Sequence, residues 1–314
     1  MRFPVFALLV LAAAVLVFAA ARLFGSDYAF FAGYVVLQYV VIATAWNILG
    51  GYTGYVNFGS SAFFAMGAYT SVVFYKITPL PLPLLVVLGG VVSGIVGLGM
   101  GYLTLRLRGV FFAIGTLALV VVLETFIVNW DFVGGGRGTF IIRPHSVPLF
   151  GDYIQYLFAI MLALSAVAII VARMIERSLL GYGFATIRDD ELAAEASGVP
   201  TLRLKLIATT LSGALMGMAG APFPYYVTYM QPQTAFGLEI GVNAIAMPMI
   251  GGTTSWVGPL VGAVLLGTLQ QLATVTISST ANLMIVGVVL IVFVVLAPQG
   301  IVGLVRNLSA RWRK

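Results

Sequence analysis

The sequence has no cysteine, a single histidine and few charged residues among its 314 positions. The lack of cysteine excludes disulfides and thiolate metal sites. The one histidine, His145, has no second ligand at a metal-binding spacing. No motif combines a nucleophile, a base and an orienting acid, and no phosphate-binding loop is present. We therefore expect no enzyme activity, no metal or cofactor bound by this chain, and no ATP hydrolysis by this chain alone.

Apolar residues dominate instead. Hydrophobic residues make up 61% of the chain and charged residues 8%, with a mean hydropathy of +1.07. Repeated apolar runs of about twenty residues predict an all-α, polytopic helical membrane protein with one transmembrane domain over 1–314. Residues 1–21 also resemble a signal peptide, but the spans that follow favour a first membrane helix. We predict about ten segments (8–10), some broken or re-entrant, over 1–21, 28–49, 56–76, 83–104, 109–129, 153–172, 204–226, 236–250, 257–276 and 282–304.

The distribution of Lys and Arg predicts the orientation. Ten spans with the amino terminus inside place the carboxyl terminus inside as well. Of the 16 Lys and Arg residues, twelve then lie inside and four outside, a bias that the positive-inside rule favours. The four outside are Arg22, Lys76, Arg137 and Arg143. Membrane topology thus explains the net charge of +6, and we expect no nucleic-acid partner. The third and eighth spans are the weakest, and the parity changes if either is re-entrant.

Two polar segments follow from this topology. Residues 130–152 form the longest outside loop, which we expect to be periplasmic. The glycines of its run Gly134-Gly135-Gly136-Arg137-Gly138 follow no strand and precede no Lys-Ser or Lys-Thr pair, which argues against phosphate binding. Such an exposed loop can dock an extracytoplasmic partner. At the other end of the chain, residues 306–314 form a basic cytoplasmic tail that we expect to meet anionic membrane lipid.

The loop 173–205 holds ten of the 26 formal charges, which are 16 basic and 10 acidic. Residues 188–200 predict a short helix, because Asp189 or Asp190 can cap its start, and Gly198 and Pro200 can end it. Such a helix is about two turns, or roughly 12 Å, long. Its charge keeps it out of lipid, so we expect it in water at the cytoplasmic face, where another protein can bind it.

Residues 50–61 are too polar and glycine-rich for a helix that faces lipid. Irregular backbone at membrane depth is tolerated where protein or a water-filled cavity surrounds it. One interpretation is a broken helix beside a translocation path. Its neutral hydrogen-bonding side chains would come from Asn47, Asn57, Ser60 and Ser61. The other interpretation is a cytoplasmic turn followed by close helix packing through Gly59, Gly67 and Ala68.

Glycine and proline mark two further stretches. Between Gly89 and Gly101, six glycines and Ser93 form a small-xxx-small pattern that is typical of helix packing. The seventh and eighth spans are broken by Pro222, Pro224, Pro232 and Pro248. Residues 249–259 weakly echo 50–59, and two broken segments in the two halves of a transporter point to its pathway. Asn243 lies near the second of them and is a candidate lining residue.

Two acids fall within apolar spans. Glu124 lies in the fifth span and Glu239 near the start of the eighth, each within about five residues of the predicted outer end. An acid inside a membrane segment is costly and usually faces the bundle interior or a cavity. A role in the pathway or a gate and a structural hydrogen bond are both consistent with these positions.

Several motifs occur together in order along the chain. They are Gly54-Tyr55-Val56-Asn57-Phe58-Gly59-Ser60-Ser61 continuing to Tyr69, Leu105-Arg106-Leu107-Arg108-Gly109-Val110-Phe111-Phe112 continuing to Ala118, Asn129-Trp130 with Gly134–Gly138, Gly181–Asp190, Ala193–Val199, Lys205-Leu206 and Ser212–Gly220. Together they resemble the permeases of branched-chain amino acid ABC transporters over about residues 30–305. The run Leu105–Phe112 is closer to the LivM-type subunit than to its LivH-type partner. Ser60 departs from the family, which often has histidine there.

The resemblance implies an importer of branched-chain or similar hydrophobic amino acids in the cytoplasmic (inner) membrane of a bacterium or archaeon. Its partners would be a second, LivH-type permease, two cytoplasmic ATPase subunits that hold ATP and Mg²⁺, and a periplasmic or lipid-anchored substrate-binding protein. An importer of another small solute, such as urea or a short amide, is an alternative. A secondary transporter or channel without an ATPase is a second one.

The resemblance also assigns the charged loop a role. Residues 188–198 would form the coupling helix that seats in a groove of one ATPase. The positions carried over are Arg188, Asp189, Asp190, Glu191, Ala194, Glu195 and Gly198. Exposed acids on a short rigid helix fit that role, whereas a merely solvated face would need no partner.

Overall fold

Long apolar helices dominate the structure, a computed structural model that describes residues 3–24, 26–104, 107, 109–143, 146–147, 150–276, 284, 287–288, 291–292 and 300–311. The longer helices are α1 Phe3–Phe24, α2 Asp27–Thr53, α3 Ser60–Ile77, α4 Leu82–Thr104, α5 Val110–Val128, α6 Tyr153–Glu176, α7 Leu179–Asp189, α9 Thr201–Gly220, α12 Leu238–Gly251, α13 Val257–Thr276 and α14 Gly300–Arg311. The shorter ones are α8 Glu191–Ala196, α10 Phe223–Val227 and α11 Pro232–Ala235, with 3-10 turns at Asp131–Val133 and Gly135–Arg137. Four two-residue strands are β1 Thr139–Phe140, β2 Ser146–Val147, β3 Gly151–Asp152 and β4 Tyr229–Met230.

Eight helical stretches in the described part of the chain are long and apolar enough to cross a membrane, which confirms the predicted all-α polytopic class. They are Phe3–Leu23, Asp27–Thr53, Leu82–Thr104, Val110–Val128, Tyr153–Glu176, Thr201–Val227, Pro232–Gly251 and Val257–Val275. The predicted third segment forms helix α3 but is not among the eight. The predicted eighth is among them, and it is interrupted between α11 and α12.

Some predictions fall on residues that the structure leaves undescribed. They concern Arg2, Arg106, Arg108, His145, most of the tenth segment, and residues 312–314 of the basic tail.

Helix α2 is the centre of the bundle. It contacts α6, α9, α12 and α13, and every residue from 40 to 53 is buried. Around it, α4 and α9 approach each other closely: a Cβ added to Gly217 would lie 2.5 Å from the carbonyl oxygen of Gly89. Ser93 Oγ donates a hydrogen bond of 2.8 Å to the Phe63 carbonyl, which ties α4 to α3. The close helix packing predicted for residues 89–101 is therefore confirmed.

The loops gather at two opposite ends of the bundle. At one end, called the α8 end, Arg188 contacts Gly54, and the Trp256 amide donates to Glu176 Oε2 at 2.9 Å. At the other, called the β1 end, Lys76 Nζ donates to the Phe132 carbonyl at 2.8 Å. This grouping agrees with the predicted alternation of the loops. The charge bias remains the argument for placing the α8 end in the cytoplasm.

The predicted outside loop carries short pairings at the β1 end. Strand β1 is antiparallel to β4, with Thr139 opposite Met230 and Phe140 opposite Tyr229. Strand β2 is antiparallel to β3, with Ser146 opposite Asp152. The first pairing fixes this loop on the segment that enters α11.

Candidate functional site

The charged loop forms two helices where the sequence predicted one. Arg188 and Asp189 end α7, so their placement at the start of the short helix was wrong. Asp190 is extended, with φ −160°, and its Oδ1 accepts a 3.0 Å hydrogen bond from the Ala193 amide. The predicted cap at Asp190 is therefore confirmed. Helix α8 covers Glu191–Ala196, about 9 Å instead of the predicted 12 Å.

The end of α8 follows the prediction. Gly198 has φ +83°, a left-handed conformation that glycine adopts without steric cost. The reversal lets the Val199 amide donate a 3.0 Å hydrogen bond to the Ala194 carbonyl. This is the pattern by which glycine usually ends a helix.

The outer surface of α7 and α8 combines apolar and acidic side chains. Leu179, Tyr182 and Leu192 are 90%, 69% and 63% exposed. The Asp189 side chain is 75% exposed, with Arg188 Nε 3.6 Å from its Oδ1. Phe184, at 0% exposure, anchors α7 from its other side. Exposed apolar side chains at this end of the bundle are available for contact with another molecule. We call these four residues, Leu179, Tyr182, Asp189 and Leu192, the α7–α8 surface.

Glu191 points away from that surface into the protein. Lys205 Nζ in α9 donates to Glu191 Oε1 at 2.6 Å, and these side chains are 3% and 13% exposed respectively. The Tyr55 hydroxyl donates to Glu191 Oε2 and accepts from Lys205 Nζ at 3.2 Å. The expectation that Glu191 is an exposed acid is wrong, because a buried lysine requires a nearby counterion. We call Tyr55, Glu191 and Lys205 the buried triad.

One more hydrogen bond fastens α8 to α9. The Thr201 hydroxyl donates to Glu195 Oε1 at 2.8 Å, and Ala194 is buried. Helix α8 is thus held on its inner side while its outer side remains accessible.

Residues 54–59 form an irregular segment between α2 and α3. Trp46 Nε1, about two turns inside the end of α2, donates to the Asn57 carbonyl at 2.8 Å. The Phe58 amide donates to Thr116 Oγ1 in α5 at 3.1 Å, and the Gly59 amide donates to Asn57 Oδ1 at 2.7 Å. The chain therefore turns at the α8 end and returns into the bundle as irregular backbone. This confirms the predicted break in regular helix, while its role in transport stays a prediction.

Two cavities lie along α5. The α8 cavity has a volume of about 510 Å³ and the α12 cavity about 330 Å³. The α8 cavity is lined by Thr53, Gly54, Tyr55, Val56, Phe58, Gly109, Val110, Ala113, Ile187, Arg188 and Glu191. The α12 cavity is lined by Phe58, Ser61, Leu117, Val120, Glu124, Gln233, Phe236, Gly237, Leu238, Gly241 and Val242. Phe58 lines both cavities.

One face of α5 runs past both cavities. Its lining residues are Val110, Ala113, Leu117, Val120 and Glu124. Their spacing of three and four residues places them in one stripe along the helix. The stripe rises about 21 Å, two-thirds of a hydrocarbon core of about 30 Å. The two cavities therefore lie in succession along one face of α5, and we call them together the groove.

The structure separates the predicted pathway residues. Ser61 and Glu124 lie together in the α12 cavity. Asn47, Asn57 and Ser60 are buried and line neither of the two cavities along α5. Glu239 is exposed in the first turn of α12 and lines neither of them.

Asn243 lies in a buried contact between helices, and its lining role stays a prediction. It is 1% exposed, donates to the Tyr39 hydroxyl at 3.3 Å, and accepts from Gln270 Nε2 at 3.0 Å. These bonds connect α12 with α2 and α13, and Asn243 lines neither cavity along α5. The contacts describe a structural cross-link.

Sequence reasoning missed Phe58, Tyr55 and the burial of Lys205. The buried ion pair of Lys205 could have been predicted, since a cation in an apolar span needs a counterion. Phe58 carried no such signal, because its importance depends on which helices it lies between.

The arrangement of these side chains suits the passage of a solute better than a chemical reaction. Glu124 makes no hydrogen bond or ion pair with the described residues. Among those same residues, no group of three or more His, Cys, Asp or Glu side chains is placed to hold a metal ion. The α12 cavity presents a mostly apolar wall with one carboxylate, that of Glu124, while Arg188 and Glu191 line the α8 cavity.

Comparison with known proteins finds transport permeases. LivM of the high-affinity branched-chain amino acid transport system of Salmonella typhimurium is 25% identical over 295 residues, covering 85% of this chain and 68% of that protein. A probable LivH permease of Methanocaldococcus jannaschii is 26% identical, covering 80% of this chain and 84% of that protein. The L-arabinose ABC transporter permease AraH of Azospirillum brasilense is 27% identical, covering 58% and 54%. No solved structure gives a significant match.

All three relatives are named as transport permeases, and AraH is named as an ABC transporter permease. The family model described as the permease component of branched-chain amino acid transport systems matches residues 28–295 of the 314. The chain therefore belongs to the family of branched-chain amino acid transport permeases and is an ABC importer permease.

Proposed function

We propose that this permease forms half of the pathway of an ATP-driven importer for amino acids with branched or similar apolar side chains. The α12 cavity carries this proposal. Among its described lining residues, Glu124 is the one acid, Ser61 and Gln233 are the neutral polar side chains, and the remainder are apolar or glycine. Its volume of about 330 Å³ is near the small end of ligand pockets, about 300–1,000 Å³.

The carboxylate suits an ammonium group. An unpaired carboxylate in an apolar membrane cavity is costly, and Glu124 has no ion-pair partner among the described residues. The α-ammonium of an amino acid would supply that partner. Two unit charges about 4 Å apart gain about 4 kcal/mol at an effective dielectric constant of about 20. The apolar wall would meanwhile contact the substrate side chain.

The same lining disfavours the other solutes. A sugar presents several hydroxyls, and leaving such groups unpaired in a site costs binding free energy. The α12 cavity offers three side chains that hydrogen-bond, Ser61, Glu124 and Gln233. Urea or a short amide would leave the apolar wall without a contact. Branched-chain amino acids use both parts of the cavity.

The α7–α8 surface supports the proposed coupling role. A merely solvated face would not expose Leu179, Tyr182 and Leu192 at once. We propose that this surface seats in a groove of one of two cytoplasmic ATPases, which hold ATP and Mg²⁺. In this proposal the other partners are a LivH-type permease and a periplasmic or lipid-anchored binding protein. The assembly would lie in the cytoplasmic membrane with both termini of this chain inside.

The test is uptake by the complete importer in proteoliposomes. We expect ATP-dependent uptake of labelled leucine, no uptake of labelled arabinose or urea, and at least a tenfold loss of leucine uptake for Glu124→Gln. The matched control is Glu239→Gln, which changes an exposed acid that does not line the α12 cavity.

Two results would contradict the proposal. Leucine uptake that continues without the ATPase subunits would exclude an ATP-driven importer. Normal uptake by Glu124→Gln would show that the carboxylate serves the structure and not the substrate.

A further inference from the structure

We propose that Phe58 is the gate between the α8 and α12 cavities, and that the buried triad links this gate to α8. The inference rests on the proposed function, since α8 moves only if an ATPase binds it. It adds positioning roles for Tyr55, Glu191 and Lys205.

Phe58 is placed as a divider. It lines both cavities and is 41% exposed, so its ring faces open space instead of the packed core. Its amide is bonded to Thr116 of α5, between Ala113, which lines the α8 cavity, and Leu117, which lines the α12 cavity. In this proposal a solute that moves along the α5 stripe passes the Phe58 ring.

The segment that carries Phe58 can shift without melting a helix. Residues 54–59 contain no regular secondary structure apart from a terminal turn. The Phe58 position depends on one hydrogen bond to α5 and on the Trp46 bond to the adjacent Asn57 carbonyl. Two or three hydrogen bonds, each worth about 0.5–1.5 kcal/mol, are a small barrier to such a shift.

The buried triad connects α8 to this segment. The Tyr55 hydroxyl donates to Glu191, the first residue of α8, and accepts from Lys205 of α9. The Tyr55 ring also lies edge-to-face on Phe112 of α5, with centroids 5.0 Å apart. Phe58 lies three positions after Tyr55, at most about 10 Å of extended chain away.

This geometry transmits displacement. A movement of α8 pulls Glu191, and the buried charges resist separation because an unpaired ion in the interior is costly. Tyr55 follows, and the short link moves Phe58 along α5. Opening and closing of the groove would thus be tied to binding of the ATPase at the α7–α8 surface.

The labelling rate of an introduced cysteine measures access past the gate, because the chain has no native cysteine. In the assembled importer in vesicles, a membrane-impermeant maleimide is added from the face that carries α8. Labelling is measured on this chain by mass spectrometry. We expect Leu117→Cys, in the α12 cavity, to label at least tenfold faster when Phe58→Ala is also present. Ala113→Cys, in the α8 cavity, should label at the same rate in both backgrounds.

This experiment has a matched control and one outcome that would contradict the gate. Phe111→Ala removes a ring that is exposed on α5 and lines neither cavity, and it should leave Leu117→Cys labelling unchanged. Equal labelling of Leu117→Cys with and without the Phe58 ring would overturn the gate.

A second variant tests the link. Breaking the pair singly can unfold the protein, so Glu191→Met is combined with Lys205→Met, which removes both charges of the pair together. We expect this double variant to retain ATP hydrolysis in the assembled importer, since its α7–α8 surface is unchanged. Leucine uptake per ATP should fall at least tenfold. With the buried triad intact, ATP should accelerate Leu117→Cys labelling by opening the gate, and in the double variant this acceleration should be lost.

The outcomes separate the two proposals. If the unmodified importer shows no ATP-dependent leucine uptake, the proposed function is contradicted. Cysteine labelling would still report on the gate in that case. Normal uptake per ATP in the double variant would overturn the link between α8 and Phe58 without affecting the importer assignment.

Discussion

Replacing Glu191 with alanine removes the counterion of a lysine that is 3% exposed. The 2.6 Å contact between Lys205 Nζ and Glu191 Oε1 would be lost, and Tyr55 would lose its acceptor on Glu191. Removing one partner of a buried ion pair costs about 3–5 kcal/mol. Because Glu191 retains 13% exposure, water can partly solvate the lysine, and we expect about 3 kcal/mol.

The assay is the loss of helical circular dichroism during titration of the purified permease with sodium dodecyl sulfate. A loss of about 3 kcal/mol raises the unfolding equilibrium constant by more than about 100-fold. Asp189→Ala is the matched control, since that acid is 75% exposed and forms a surface contact. Such a surface change should stay within about 0.5 kcal/mol.

The double variant Glu191→Met with Lys205→Met should recover at least half of the loss. Apolar replacement of a buried pair is often neutral or stabilising, although the Tyr55 hydroxyl still loses partners. A cost below about 1 kcal/mol for Glu191→Ala would refute the reasoning, because it would mean that water reaches the triad freely.

Three other changes test the local geometry by the same denaturation assay. Gly217→Ala should destabilise the permease by about 1–3 kcal/mol because its methyl group would strike α4, whereas Gly99→Ala, with no atom within 4 Å of the added Cβ, should be tolerated. Asp190→Ala should cost about 1 kcal/mol through loss of the α8 cap, and a neutral result would contradict the capping role. Trp46→Phe should cost about 1 kcal/mol by removing the 2.8 Å hydrogen bond to the Asn57 carbonyl, which keeps the 3.5 Å bond from Ser60 Oγ, while Trp46→His would restore part of that loss if the missing N–H is the cause.

Several features were predictable because they depend on nearby residues. An apolar run of twenty residues gains free energy in lipid whatever surrounds it, so the long helices could be placed from composition. The Asp190 cap and the Gly198 turn needed residues within about one helical turn. The third segment was the weakest of these predictions, since α3 is a helix without the apolarity of a span.

The site was less predictable. Glu124 and Ser61 were candidates because polar groups in apolar segments are unusual, and the structure places both in the α12 cavity. Asn243 met the same criterion yet lies between Tyr39 and Gln270. Polarity in a span signals a buried partner, but it does not distinguish a solute from another side chain.

By itself, the sequence determined the class of the protein, the location of its membrane helices and the charged loop at one face. Tertiary structure alone decided that Glu191 points inward to Lys205 and Tyr55, which lies 136 positions from it, and that Phe58 lies between two cavities. The physical reason is that partition into lipid acts on each segment separately, and capping acts within a turn. Ion pairs and cavities arise only when distant segments come into contact.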